Sequence, residues 1–136
     1  MIIDGHRIPV GTDEVFDPAE IDELIVQMDR SGVDKVIAEN LRSEVPGLEE
    51  CVFLNGELAK ALRHAPDRIL GMAVINPRLG EPMLNNYREC VEEHGMVGSK
   101  LWLAGKADDP SMDRFVEYNL ERRKIKIGRA SCRERV

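Results

Sequence analysis

Ile69-Leu70-Gly71-Met72-Ala73-Val74-Ile75 is a near-continuous apolar run closed by Asn76-Pro77. A strand with one wet face alternates apolar and polar residues, whereas a run apolar at both parities is buried on both faces, the usual state of a parallel strand under helices. The flanks agree. Upstream, Leu54, Leu58, Ala61, Leu62 and Ala65 mark a helical stripe that stops before Pro66. Downstream, a helix carries Leu84, Tyr87 and Val91 inward, ends at His94-Gly95, and leads into a strand over Val97–Leu103. Further out, Ile2–His6 and Val33–Ala38 read as strands. Between them lies a helix opened by Asp17-Pro18-Ala19-Glu20, an N-cap, a first-turn proline and a capping-box glutamate. Ile21, Leu24, Ile25 and Met28 form its apolar stripe, and Gly32 ends it. Asp109-Pro110 repeats the cap-then-proline start before Met112, Phe115, Val116 and Leu120, and Lys124-Ile125 begins a fifth strand.

Strand starts near 2, 33, 69 and 97 have the spacing of right-handed βαβ units. The fold expected is α/β, the N-terminal half of a (β/α)8 barrel with about four βα units. A doubly wound sheet is the alternative.

Composition narrows the function. The chain is 136 residues long, enough for one domain, with 43% hydrophobic and 32% charged residues, as in a soluble globular protein. Its net charge of -6 argues against a nucleic-acid or anionic-membrane partner. Met1-Ile2-Ile3-Asp4 lacks the basic and apolar regions of a signal peptide, and no apolar run reaches the ~20 residues of a membrane span, so a cytoplasmic location is expected. Cys51, Cys90 and Cys132 have no metal-ligand spacing and read as free thiols.

In a barrel, chemistry sits at the C-terminal ends of strands. Alternation along the first strand puts Ile2, Asp4, His6 and Ile8 on the interior side. His6 is there a candidate metal ligand, with Asp4 as its supporting carboxylate; the alternative is an unliganded histidine. On the fourth strand Lys100 and Trp102 share a face. Lys100 either orients a substrate carboxylate, binds metal after carbamylation, or reaches solvent. Trp102 reads as pocket or core lining. His64 and His94 read as helix-end surface residues, Glu92-Glu93 as a solvated face, and Asp108-Asp109 as loop and cap.

Four stretches carry a family resemblance: Ile2-Ile3-Asp4-Gly5-His6; Met28 through Lys35; Pro66-Asp67-Arg68-Ile69-Leu70-Gly71 with Ile75-Asn76-Pro77; and Glu92 through Leu101. In order and spacing they resemble the amidohydrolase-related branch of the amidohydrolase superfamily. That resemblance implies a barrel hydrolase or nonoxidative decarboxylase acting on a small-molecule substrate. It further implies one divalent ion, often zinc, that polarises a carbonyl or activates water, while a barrel aspartate moves the proton. The family's first motif is Asp-x-His-x-His. Asp4 and His6 match it, and Ile8 stands at the second histidine. Lys100 matches the family's Gly-x-Lys, and the remaining ligands come from strands five to eight.

Ile127-Gly128-Arg129-Ala130-Ser131-Cys132-Arg133-Glu134-Arg135-Val136 resembles one frame of a short-read sequencing adapter, ATC GGA AGA GCG TCG TGT AGG GAA AGA GTG, whose next codon is a stop. The adapter's preceding bases also complete a lysine codon for Lys126. The expected organisation is therefore a truncated barrel domain over 1–126 and a non-native tail over 127–136; the alternative is a basic tail for an acidic partner. A half barrel with His6 as its matched ligand is expected to be inactive, to bind metal weakly and to self-associate through open sheet edges. The contrasting reading is a complete, non-catalytic α/β binding module. Sequencing the source DNA across the Lys126 codon separates the two. The expected result is a frame that continues for roughly 120 to 180 residues, as a ~250-residue barrel requires; a genome that encodes Ile127–Val136 and then stops favours the binding module.

Overall fold

The computed structural model describes residues 1–7, 12–106 and 108–128. Among these, β1 (Ile3–Arg7), β2 (Lys35–Ala38), β3 (Ile69–Val74), β4 (Gly98–Leu101) and β5 (Ile125–Gly128) alternate with α1 (Pro18–Ser31), α2 (Leu48–His64), α3 (Glu81–Glu92) and α4 (Asp113–Arg122). The strands pair in parallel and in chain order, β1-β2-β3-β4-β5. A doubly wound sheet reverses its order at a switch point. This sheet never reverses, so right-handed crossovers set every helix on the same side and the arc is half of a (β/α)8 barrel. β5 crosses the junction at Lys126, with Ile127 level with Lys100.

Local chemistry explains the helix ends. The Asp17 side chain accepts the Ala19 N–H, and Gly32, at φ 69°, closes α1 by donating to Asp29 O and Met28 O. Ile21 and Met28 are buried and Leu24 and Ile25 pack beside them. α2 starts at Leu48, one turn and more before its first marked stripe residue. Ser43 N and Oγ both donate to the first-turn Glu50 carboxylate, which anchors that start.

The helices dock on β3 through two devices. A Cβ on Gly71 would sit 2.8 and 2.9 Å from the Leu62 methyls and 3.3 Å from Met96 Cγ, so its bare backbone lets α2 approach closely. Asn55 of α2 then binds the Val74 backbone at both poles: its Oδ1 accepts the N–H at 2.8 Å and its Nδ2 donates to the carbonyl at 3.0 Å. The same Nδ2 reaches Asn86 Oδ1 of α3 at 3.0 Å. Two helices and the central strand thus share one amide.

The buried face of α4 differs from the expected stripe. Met112 and Phe115 are buried, but Leu120 is 74% exposed. The inward position two helical turns beyond Met112 is Asn119, which accepts the Tyr87 hydroxyl and donates to Ser99 Oγ at 3.3 Å. Three mutually satisfied polar groups occupy core space that periodicity assigns to a leucine. The fourth strand is also shorter than expected: it stops at Leu101, leaving Trp102 half-buried and Leu103 exposed in the following loop.

Cys51 and Cys90 are free and buried. Burial, and then the neighbouring Glu50 carboxylate, pushes the Cys51 thiol up to about 12; burial and then Glu89 do the same for Cys90. Burial likewise pushes the Tyr87 hydroxyl up to about 12. All three are buried in their neutral forms, so unfolding makes their ionisation easier. The stability they retain below pH 9 is expected to fall progressively as the pH rises from about 9 toward 12. Urea midpoints measured across that range check this, and a flat profile contradicts it. Asn55→Ala strands both polar groups of Val74 in the core and is expected to cost about 2 kcal/mol or more in urea unfolding; a loss under ~0.5 kcal/mol would show that water replaces the amide.

Candidate active site at the strand ends

Ser99 faces α4 through Asn119. Its neighbour Lys100 must therefore face the concave side of the sheet, the future barrel interior. Gly71 faces α2, and Ala38 is level with it, so Ala38 lies on the helix side and Glu39, the next residue, turns to the concave side. Glu39 Oε1 lies 2.9 Å from Lys100 Nζ.

The third member arrives through an irregularity. Asp4 is level with Val36 and Arg7 with Ala38, so three steps on β1 oppose two on β2. This bulge, with Gly5 inside it, breaks the period-two alternation expected for Asp4 and His6. Asp4 takes the level of the helix-side Val36, while His6 Nδ1 reaches Glu39 Oε1 at 2.9 Å. The Asp4 carboxylate accepts the His6 backbone N–H at 3.2 Å. The carboxylate beside the imidazole is that of Glu39. Ile8 lies outside the described residues.

One carboxylate oxygen thus faces two nitrogens from two other strands. The side chains of Glu39 and Lys100 are 2% and 8% exposed, whereas His6 is 62% exposed at the rim. Burying an isolated charge costs several kcal/mol even after relaxation, so the glutamate and lysine each require the other. Neither nitrogen meets Oε1 in hydrogen-bond geometry. For the Lys100 ammonium the attraction is Coulombic, strengthened by the exclusion of water from both buried groups.

Loops close over this cluster. Leu103 N donates to Glu44 O at 3.1 Å, joining the loops after β2 and β4 across the end of β3. Asn76, two residues after β3, donates to Pro46 O at 2.8 Å and holds the β2 loop. Asn40 donates to Glu14 O at 2.9 Å, and Arg42 binds both Glu14 Oε2 and Asp13 O at 3.0 Å. These contacts hold Asp13 and Glu14 at φ 55° and 58°, a backbone region that non-glycine residues rarely occupy. Arg78 Nη2 approaches Asp109 Oδ2 at 3.4 Å, and Asp109 caps the turn before α4 by accepting the Ser111 N–H at 2.9 Å.

The other histidines lie elsewhere. His64 Nε2 meets Asp22 Oδ1 at 2.7 Å and its ring stacks edge-on against Phe16, tying α2 to the start of α1. His94 Nε2 is 3.8 Å from Glu89. At the opposite end of the strands a groove of about 710 Å³ is lined by Met1, Asp29, Asp34, Lys35 and Arg68. There Arg68 donates to Asp34 O, Val33 O and Asp29 Oδ1, bonds that brace the barrel floor.

Glu39, Asn40 and Asn76 are site residues that sequence reading passed over. The available signal was position: polar residues standing immediately after apolar strands, at the end where barrel chemistry is built. His6 and Glu39 supply two donors suited to a divalent ion. Among the described residues no group of three or more His, Cys, Asp and Glu side chains could hold one. A zinc site takes about three protein ligands, and the Lys100 ammonium at the same oxygen opposes a second cation. The described residues alone do not fit a resident metal.

No protein-family model matches the sequence, and no curated protein does so either. Solved structures do match. A Staphylococcus aureus protein assigned as an amidohydrolase superposes with a TM-score of 0.75 at 16% identity, over 96% of this chain and 47% of that one. 4-Oxalomesaconate hydratase from Rhodopseudomonas palustris gives 0.70 at 16% identity, over 96% and 53%. 5-Carboxyvanillate decarboxylase from Novosphingobium aromaticivorans, solved with bound manganese, gives 0.67 at 23% identity, over 82% and 34%. The chain spans about half the length of the first two and a third of the last. At these identities the likeness is one of fold: this chain has the architecture of the first half of the barrel in those proteins.

Proposed function

We propose that residues 1–126 are the N-terminal half of a metal-dependent hydrolase or nonoxidative decarboxylase of the amidohydrolase-related type, and that 127–136 are an adapter-derived tail. The observation that supports this is the meeting of His6, Glu39 and Lys100 from β1, β2 and β4 at the strand ends, where barrel enzymes carry out their chemistry. The substrate class is a small carboxylic acid or an amide or ester. A divalent ion, zinc by the family resemblance or manganese as in the decarboxylase structure, would polarise the substrate carbonyl. His6 would be the donor from this half, with Asp4 as a supporting carboxylate that accepts its backbone N–H, and the remaining donors would come from the later strands of the barrel.

Lys100 acts as an ammonium in this reading. Carbamylation would place a second anion against the buried Glu39 carboxylate, a repulsion strengthened by the low local dielectric. As a cation it is suited to attract and orient a substrate carboxylate at the strand ends. His6, at the exposed rim, offers its other ring nitrogen to whatever occupies the mouth. The exposed sheet edges and the half-covered concave face make self-association the expected behaviour of the isolated chain.

The 136-residue chain, purified and dialysed against zinc and then manganese, is expected to retain well under one ion per chain by elemental analysis. Turnover of benzoate-type carboxylic acids is expected to be undetectable, and the chain is expected to elute as an oligomer in size-exclusion chromatography. One tightly held zinc per chain in a monodisperse, cooperatively melting monomer would overturn the half-site reading.

A further inference from the structure

Glu39 is a carboxylate that a purely structural account does not require. It is 2% exposed, it stands at the end of a strand whose helix-side neighbours Val36 and Ala38 are apolar core, and among the described residues its buried counter-ion is Lys100. What it does for His6 follows from one distance. Nδ1 lies 2.9 Å from Oε1. A proton on Nδ1 brings positive charge toward that anionic oxygen, whereas a lone pair there brings negative charge. The electrostatics therefore favour the Nδ1–H form of the neutral ring even without an aligned hydrogen bond, and Nε2 is then the nitrogen without a proton.

We propose that Glu39 is the positioning residue of this site: through one oxygen it fixes His6 as the Nδ1–H tautomer, leaving Nε2 as the free donor, and it anchors Lys100 as a buried cation. The two halves of this role are linked. The same charge that justifies burying Lys100 also selects the ring nitrogen that His6 presents. Carboxylates that bind one imidazole nitrogen so as to aim the other are a general device for orienting ligands. Here the carboxylate comes from β2, not from the Asp4 that stands beside His6 in sequence. The use of Nε2 by an ion or substrate rests on the function proposed above; the tautomer does not, so the two can fail separately.

His64 serves as an internal reference. Its Nε2 meets the Asp22 carboxylate at 2.7 Å, which places its proton on Nε2, the other ring nitrogen from the one protonated at His6. The test is long-range nitrogen–proton correlation NMR on the full 136-residue chain with 15N-labelled histidine, at about pH 9, well above the ordinary imidazole range. His6→Gln assigns the His6 peaks by their disappearance. The wild-type chain is expected to show His6 with a pyrrole-type Nδ1 and a pyridine-type Nε2. Glu39→Leu alone would leave Lys100 buried without a counter-ion, so it is combined with Lys100→Met; apolar replacement of a buried ion pair is commonly tolerated. In that double variant, with fold checked by far-UV circular dichroism, the two nitrogen types are expected to exchange at His6 and to stay put at His64. An Nε2–H tautomer at His6 in the wild-type chain, or an Nδ1–H tautomer that persists in the folded double variant, overturns the proposal.

Discussion

A parallel strand cannot reach its neighbour through a tight turn; the chain must travel back along the sheet before it can pair again. In this protein each return is a helix, and each new strand adds on the same side of the last. With right-handed crossovers, that single direction of growth puts every helix on one face and curves the other inward. Everything else follows from this asymmetry. The helix face carries the apolar core, from Ile21 and Met28 of α1 to Phe115 and Tyr118 of α4. The concave face carries the charged cluster, because only there do the ends of separate strands converge.

The core and the cluster handle polar groups in opposite ways. Between the helices, Asn55 and Asn119 are surrounded by partners that satisfy them: Val74 at both backbone poles for one, Tyr87 and Ser99 for the other. Such networks rigidify, since a helix shift of an ångström would leave buried donors unpaired. On the concave side, Glu39 Oε1 faces the Lys100 ammonium and the His6 imidazole with no aligned hydrogen bond. A closely satisfied amide locks structure; a carboxylate held by charge alone keeps lone pairs and neighbours available to a ligand.

Loop anchoring serves the same division. The β2 loop is fixed by Asn76, by Leu103 beside it and by Ser43 on Glu50 at its far end. The turn over Thr12–Glu14 is held in a strained backbone conformation by Asn40 and Arg42. These contacts originate from residues shortly after β2, β3 and β4, so the strands that position the charged cluster also position the walls around it.

The sequence by itself determined the alternation of strands and helices, the caps at Asp17, Gly32 and Asp109, and the apolar stripes of α1, α2 and α3. These depend on near neighbours along the chain: a cap reaches two residues, a stripe repeats every three or four, a buried strand is apolar throughout. It also singled out His6 and Lys100, because a strand end is a local feature. Only the tertiary structure decided that the strands add in one direction, that Asn119 and not Leu120 turns inward, and that a bulge at Gly5 takes His6 out of step with Asp4. The meeting of His6, Glu39 and Lys100 on one oxygen belongs to the same class. Those residues are 33 and 61 positions apart in the chain, and no local rule relates them. They meet because pairing register and strand order bring three strand ends to one place, and because a charge taken out of water must find its partner there.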